Sequence, residues 1–131
     1  MSGNKVVLDT NVIIFASKQL LNIEKFINDF DEFFVSVITY MEVYSYGFSN
    51  NNEKKLIDEL FKSITIIHIN KEIADVAISI RKNKDKKIKL PDAIILATSL
   101  FLKIPLLTDD WDDFENIHSK AIVLNVENYK I

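Results

Sequence analysis

Four acidic residues stand where a divalent cation could be gripped: Asp9 directly after Val6-Val7-Leu8, Glu42 one helical turn after Phe33–Val37, Asp92 within Leu90-Pro91-Asp92-Ala93, and Asp110 after Leu106-Leu107-Thr108. In an open parallel sheet the functional crevice lies beyond the carboxyl ends of the strands. Acids that follow parallel strands therefore emerge at one edge, and Asp92 joins them if the helix it opens starts there. Such a cluster is costly, because two carboxylates about 4 Å apart repel by roughly 4 kcal/mol at an effective dielectric near 20. It calls for a cation. Oxygen ligands without cysteine or a histidine pair favour Mg²⁺ or Mn²⁺ over zinc. Ions of this kind activate water for in-line attack on a phosphodiester.

Each acid also has a plainer explanation. Carboxylates are favoured in first helical turns by exposed N–H groups and the macrodipole. Thr39-x-x-Glu42 reads as a capping box, Asp92 after Pro91 as first-turn chemistry, Asp9 and Asn11 as caps of a helix starting near Val12, and Asp110 as a turn residue in an acid-rich loop. Coincidence at one sheet edge outweighs these separate readings. The two histidines fall in a strand, His68, and in a loop, His118, and neither is assigned as a ligand.

The elements that must position these residues follow from hydrophobic patterning. Runs rich in valine, isoleucine and phenylalanine alternate with helical periodicities, as in strand–helix units on a parallel sheet. Five strands are expected at Lys5–Leu8, Phe33–Val37, Thr65–Ile69, Pro105–Thr108 and Ala121–Val126. Helical spacing links Leu20, Ile23, Ile27 and Phe30, then Leu56, Leu60 and Ile64, then Ile73, Val76, Ala77 and Ile80. The stretch from Ala93 to Leu102 is apolar all round, which predicts the most buried helix.

Length and composition close off other classes. The 131 residues suit one domain, residues 1–131, since single cores run roughly 100–150 residues. Hydrophobic residues at 48% and charged residues at 27% predict a packed core rather than disorder. Two glycines, Gly3 and Gly47, cannot build a dinucleotide turn, a Walker loop or a nucleophile elbow. Without cysteine there is no disulfide framework or thiol nucleophile, which points to a reducing, cytoplasmic setting. No run reaches the roughly 20 apolar residues of a membrane span, and the start lacks a signal-peptide pattern.

Net charge is −3, but it is unevenly spread. From Arg81 to Lys89 there are six bases and one acid, and from Asp109 to Glu115 five acids and no base. Arg81, Lys82, Lys84, Lys86, Lys87 and Lys89 can guide a phosphate chain toward Asp92; the alternative is a solvated helix end whose lysines complement the dipole. Tyr40, Tyr44, Tyr46 and Phe48 crowd the neighbourhood of Glu42, which core packing explains in part.

With those residues assembled, the chain resembles PIN-domain ribonucleases, specifically the VapC-like toxins of type II toxin–antitoxin pairs. The resemblance is carried by Val7-Leu8-Asp9-Thr10-Asn11-Val12, by Ser36-Val37-Ile38-Thr39-Tyr40-Met41-Glu42-Val43, by Leu90-Pro91-Asp92-Ala93-Ile94-Ile95-Leu96-Ala97 and by Leu107-Thr108-Asp109-Asp110-Trp111-Asp112-Asp113-Phe114. It implies a three-layer α/β/α fold whose mostly parallel five-stranded sheet has order 3-2-1-4-5. It implies that Asp9, Glu42, Asp92 and Asp110 hold Mg²⁺ or Mn²⁺ and activate water to cut RNA. Asn11 and Thr108 would orient these ligands, and Asp113 would make an outer or alternative contact. At the last segment Asp109, Asp110, Asp112 and Asp113 crowd a place where the family shows fewer acids; the family pattern selects Asp110, the second residue after Thr108. The resemblance further implies a homodimer and an antitoxin lying in a groove over the site, which the four aromatics would line.

Two other functions remain in view at this point. A haloacid-dehalogenase-type phosphatase would use Asp9 as nucleophile, but it needs a second aspartate where Asn11 stands. A catalytically silent PIN-like module that binds RNA or protein would not need all four acids. An EF-hand reading of the acid-rich loop fails for want of glycine and alternating ligands.

Overall fold

The computed structural model describes residues 4–83 and 85–131. The chain begins with β1 (Lys5–Leu8), α1 (Thr10–Ser17), α2 (Ile23–Asp29), β2 (Glu32–Ser36) and α3 (Val37–Ser45). It continues through α4 (Asn51–Phe61), β3 (Ile64–Ile67), α5 (Lys71–Arg81), α6 (Leu90–Leu102), β4 (Leu106–Thr108), α7 (Trp111–Phe114), β5 (Val123–Asn125) and a closing 3₁₀ turn, Val126–Tyr129. All four strand pairings are parallel, in the order β3-β2-β1-β4-β5. β1 sits at the centre, Val6 opposite Phe33 on one side and Val7 opposite Leu106 on the other.

Side chains alternate across this sheet, so one strand feeds two cores. Val6 and Leu8 point to a core shared with Val12, Ile13, Phe26, Val43 and Ile57, from α1 to α4. Val7 faces the opposite core, with Ile73, Ala77 and Ile80 of α5 and Ala93, Ile95, Leu96 and Ala97 of α6. The result is the three-layer α/β/α arrangement. As its composition predicts, α6 is deeply buried, with Ala93 and every residue from Ile95 to Ser99 inside. Among the described residues no helix is long and apolar enough to cross a membrane.

The departures from the sequence expectation lie at element ends and have local causes. Val37 opens α3 instead of closing β2, because the Ser36 hydroxyl accepts the Ile38 N–H (3.1 Å) and caps the helix. Ile64 starts β3 rather than ending a helix. β3 stops at Ile67 because its last partner on β2 is Ser36, leaving His68 beyond the ladder. Leu20 and Phe30 fall outside α2, which Asn22 caps. Pro105 has no N–H for the ladder and lies just before β4. β5 shrinks to Val123–Asn125, because Asn125 caps the 3₁₀ turn that follows.

Removing the buried Leu96 side chain with Leu96→Ala is expected to lower the unfolding free energy by about 2–5 kcal/mol. Ile78→Ala, on the exposed face of α5, should change it by less than about 0.5 kcal/mol. Urea unfolding followed by far-ultraviolet circular dichroism distinguishes the two.

Candidate active site at the carboxyl edge of the sheet

Asp9 occupies the first position past β1, where the strand hands over to α1. It caps that helix, its Oδ1 accepting the Thr10 N–H at 2.8 Å, while Oδ2 accepts the Thr108 hydroxyl at 2.6 Å. The residue is only 4% exposed. Burial, reinforced by the charges of Asp92 and Asp110, pushes its carboxyl up to about 6 against the pull of those two hydrogen bonds. Capping and membership of an acidic site are thus combined in one side chain.

The other acids are held by neighbours that the sequence places close to Asp9. Thr10 donates its hydroxyl to Glu42 Oε1 at 2.6 Å. Glu42 is not half of a capping box: Ser36 caps α3, and Thr39 is buried one turn inside it with its hydroxyl 3.3 Å from Thr10 Oγ1. Asn11 does not cap α1 either. Its amide donates to Asp110 Oδ2 and its oxygen accepts the Asp109 N–H, both at 3.1 Å. Thr108 also takes the Asp110 N–H on its hydroxyl at 2.9 Å, so one threonine joins β4 to both Asp9 and Asp110. Asp92 stands in the first turn of α6 after Pro91, half-buried. Burial raises its carboxyl, as do the charges of Glu42, Asp110 and Asp113, while Lys89 opposes them.

All four acids line one cavity of about 380 Å³, together with Thr10, Asn11 and an apolar rim of Ile14, Phe15 and Tyr46. Among the described residues no three Asp, Glu, His or Cys side chains converge tightly enough to cage an ion unaided. The open, all-oxygen donor set fits Mg²⁺ or Mn²⁺, since Mg²⁺ characteristically keeps several waters and takes one or two carboxylates plus phosphate oxygens. The Asp9 and Asp92 carboxyls are raised by burial first and by neighbouring acids second, and a cation among them would favour their ionised forms. Asp113 acts on Asp92 through its charge but is not in the cavity lining. A larger cavity, about 470 Å³, lies at the opposite edge of the sheet; it holds Glu72 and His118 and gathers no acidic cluster.

The acid-rich loop is not a plain turn but contains α7, and lysines brace it from two sides. Lys130, next to the last residue, pairs with Asp109 at 2.8 Å and with Glu127 at 3.3 Å. This takes Asp109 out of contention and leaves Asp110 facing the cavity. Lys86 donates to the carbonyls of Asp112 and Glu115, the latter at 3.0 Å, and so grips α7. Of the other basic residues, Arg81 donates to the Ile88 carbonyl at 3.2 Å; Lys82, Lys87 and Lys89 are exposed; Lys84 lies outside the described residues.

The aromatic set divides. Tyr40 and Tyr44 pack with Phe61, and Tyr44 donates its hydroxyl to Asp58 at 2.6 Å. Phe48 packs half-buried on the core, its ring 5.7 Å from that of Tyr46. Tyr46 alone of the four reaches the acidic cavity lining. Phe15, Thr10 and Lys130 escape sequence reasoning. Thr10 sits in plain view beside Asp9, whereas nothing in the chain order ties Lys130 to Asp109.

Residues 6–120 match the family model of the PIN domain. Among solved structures the chain is similar to the toxin–antitoxin complex from Klebsiella pneumoniae, with 28% identity, 96% of this chain and 99% of that chain covered, and a TM-score of 0.77. The DNA-bound VapBC from Salmonella typhimurium gives a TM-score of 0.80 at 20% identity over 95% of this chain and 99% of that one. VapBC-1 from nontypeable Haemophilus influenzae gives 0.75 at 22% over 93% and 98%. The last two similarities speak to fold. No curated protein sequence matches the chain.

Asp9 has a folded value near 6 against 3.8 unfolded, so the native state holds its proton more tightly. The stability this provides is complete below pH 3.8 and is lost as pH rises through about 6, roughly 3 kcal/mol in all. In EDTA, urea midpoints should therefore fall over that window, and Asp9→Asn should flatten the fall. Lys130→Met is expected to cost about 1 kcal/mol and to weaken Mn²⁺ binding in titration calorimetry, with Lys130→Arg restoring both.

Proposed function

This chain belongs to the PIN-domain family, and from that premise we propose that it is a Mg²⁺- or Mn²⁺-dependent endoribonuclease, the toxin of a toxin–antitoxin pair. The observation that carries the reading is the meeting of Asp9, Glu42, Asp92 and Asp110, from four separate stretches of chain, around one cavity at the carboxyl edge of the sheet. A divalent ion, when bound there, would supply charge neutralisation at the scissile phosphate and a lowered pKa for the attacking water. Asp9, Glu42, Asp92 and Asp110 are the residues that would hold it. Thr108 and Thr10 fix the directions of Asp9 and Glu42 by hydrogen bonds, and Asn11 fixes Asp110. Asp113 tunes Asp92 through space. Asn11 is committed to Asp109 and Asp110, an orienting part foreign to the phosphatase reading.

We read residues 1–131 as one nuclease domain acting in the cytoplasm. Its substrate is RNA, with Arg81, Lys82, Lys87 and Lys89 available to phosphates and Lys86 serving as a brace. The silencing partner is a protein antitoxin, in keeping with the toxin–antitoxin complex from Klebsiella pneumoniae that the chain resembles over nearly its full length. Tyr40 and Tyr46, both 40% exposed beside Glu42, offer that partner an apolar contact.

Purified protein should cleave a mixed RNA pool with Mg²⁺ or Mn²⁺ and stop on addition of EDTA. Asp9→Asn and Asp92→Asn should each lower the rate by at least ~100-fold, since even residues one step removed from a metal cost 10–100-fold. Mn²⁺ should raise the melting temperature of the wild type more than that of either variant. Cleavage that survives both substitutions, or that ignores EDTA, removes this mechanism.

A further inference from the structure

We propose that the larger cavity, at the end of α6 remote from Asp92, is a binding site for a nucleoside monophosphate. The proposal goes beyond the nuclease reading and does not depend on it. At about 470 Å³ the cavity falls in the size range of small-molecule sites. It forms where the first two turns of α5, the last turn of α6 and the segment leading into β5 come together. Its wall is largely apolar, with Leu100 and Phe101 from α6 and Ile122 from the approach to β5. Set into that wall are Glu72, Lys103, His118 and Lys120.

Local structure fixes what these groups offer. Lys103 ends α6 in the left-handed conformation, φ 60 and ψ 40, a place that usually goes to glycine. His118 Nδ1 accepts the Lys120 N–H at 3.1 Å, which leaves Nε2 as the donating nitrogen of the neutral ring. Among the described residues the side chains of Glu72, Lys103 and Lys120 have no ion-pair or hydrogen-bond partner within the chain. In this they differ from Lys86 and Lys130, which are spent on bracing. Because α5 starts and α6 ends beside the cavity, their dipole ends offset one another and the side chains decide its polarity.

Two ammonium groups and an imidazole N–H exceed what a single carboxylate needs. They suit a phosphate monoester, which carries close to two negative charges and three acceptor oxygens at neutral pH. Glu72 would repel a ligand that was anionic throughout, so the ligand must also bring an N–H donor. The exocyclic amino group of a nucleobase is such a donor, and a carboxylate side chain accepts from it. The apolar wall suits the flat faces of the base. A dianionic head, a planar body and an amino donor meet in AMP and CMP.

The test titrates isotope-labelled protein with AMP, CMP, UMP, adenosine, inorganic phosphate and phenylalanine in EDTA, with backbone amide shifts as the readout. AMP and CMP should shift the amides of Lys103, Ile104, Lys120 and Ile122 saturably, with Kd at or below about 1 mM, and leave those of Asp9 and Glu42 in place. UMP, adenosine and phosphate should each bind more weakly. Lys103→Gly and Lys120→Met should each weaken AMP binding about 5-fold. Glycine adopts the left-handed conformation freely, so Lys103→Gly should keep or raise the urea midpoint, which separates loss of charge from loss of fold. Glu72→Gln, whose amide can also donate, should narrow the preference for CMP over UMP. No saturable shift, shifts confined to other parts of the chain, or an AMP affinity unmoved by both lysine variants overturns the site. Phenylalanine binding in place of AMP, equal affinity for AMP and inorganic phosphate, or equal affinity for CMP and UMP overturns the nucleotide assignment. In EDTA none of these outcomes depends on RNA cleavage, so failure here leaves the nuclease reading standing and failure of that reading leaves this site standing.

Discussion

The constraint on which the rest of the structure depends is the confinement of a carboxylate, Asp9, at the end of the central strand with two more acids acting on it. Burial and like charge both oppose ionisation there, and the carboxyl sits near 6 as a result. A fold tolerates such a group only where the surroundings leave it no alternative. Here β1 is flanked on both sides by parallel partners, and α1 starts immediately after it with Asp9 as its cap. The helix N-terminus offsets part of the cost through its N–H groups.

Around that fixed point the site is assembled by short polar links that cross large sequence distances. Thr108 ties β4 to β1, Asn11 ties α1 to the loop after β4, and Thr10 ties α1 to α3. Each link joins two elements whose relative position the sheet has already set, so each side chain loses little additional freedom in making it. The acid-rich loop needs more support, because it contains one short helix and many like charges. Lys130 and Lys86 provide that support from the chain end and from the basic segment. A run of lysines that looks like a surface for nucleic acid thus spends one member on internal architecture.

α1 and α3 each contribute to the lining of the acidic cavity, as do α6 through Asp92 and the loop after β4 through Asp110. The PIN-domain match spans nearly all of these elements, and the similarity to the Klebsiella pneumoniae complex covers 96% of the chain. Phe15 and Tyr46 line the same cavity as the acids.

The sequence by itself determined the alternation of strands and helices, the depth of α6 and the identity of Asp9, Glu42, Asp92 and Asp110, because strand and helix periodicity and the rule that acids follow parallel strands act over a few residues. It misplaced ends such as Val37, Ile64 and His68, where a single cap or the last rung of a ladder decides and two local preferences nearly balance. Sequence also offered Glu42 a competing place in a capping box, since Thr39 stands at the right spacing, and only the structure shows that Ser36 holds the cap. Tertiary structure alone decided which acid of the loop faces the cavity, that Lys86 braces α7, and that Phe15 and Tyr46 share a wall. Those outcomes depend on contacts such as Lys130 with Asp109, made between residues whose proximity no local propensity encodes.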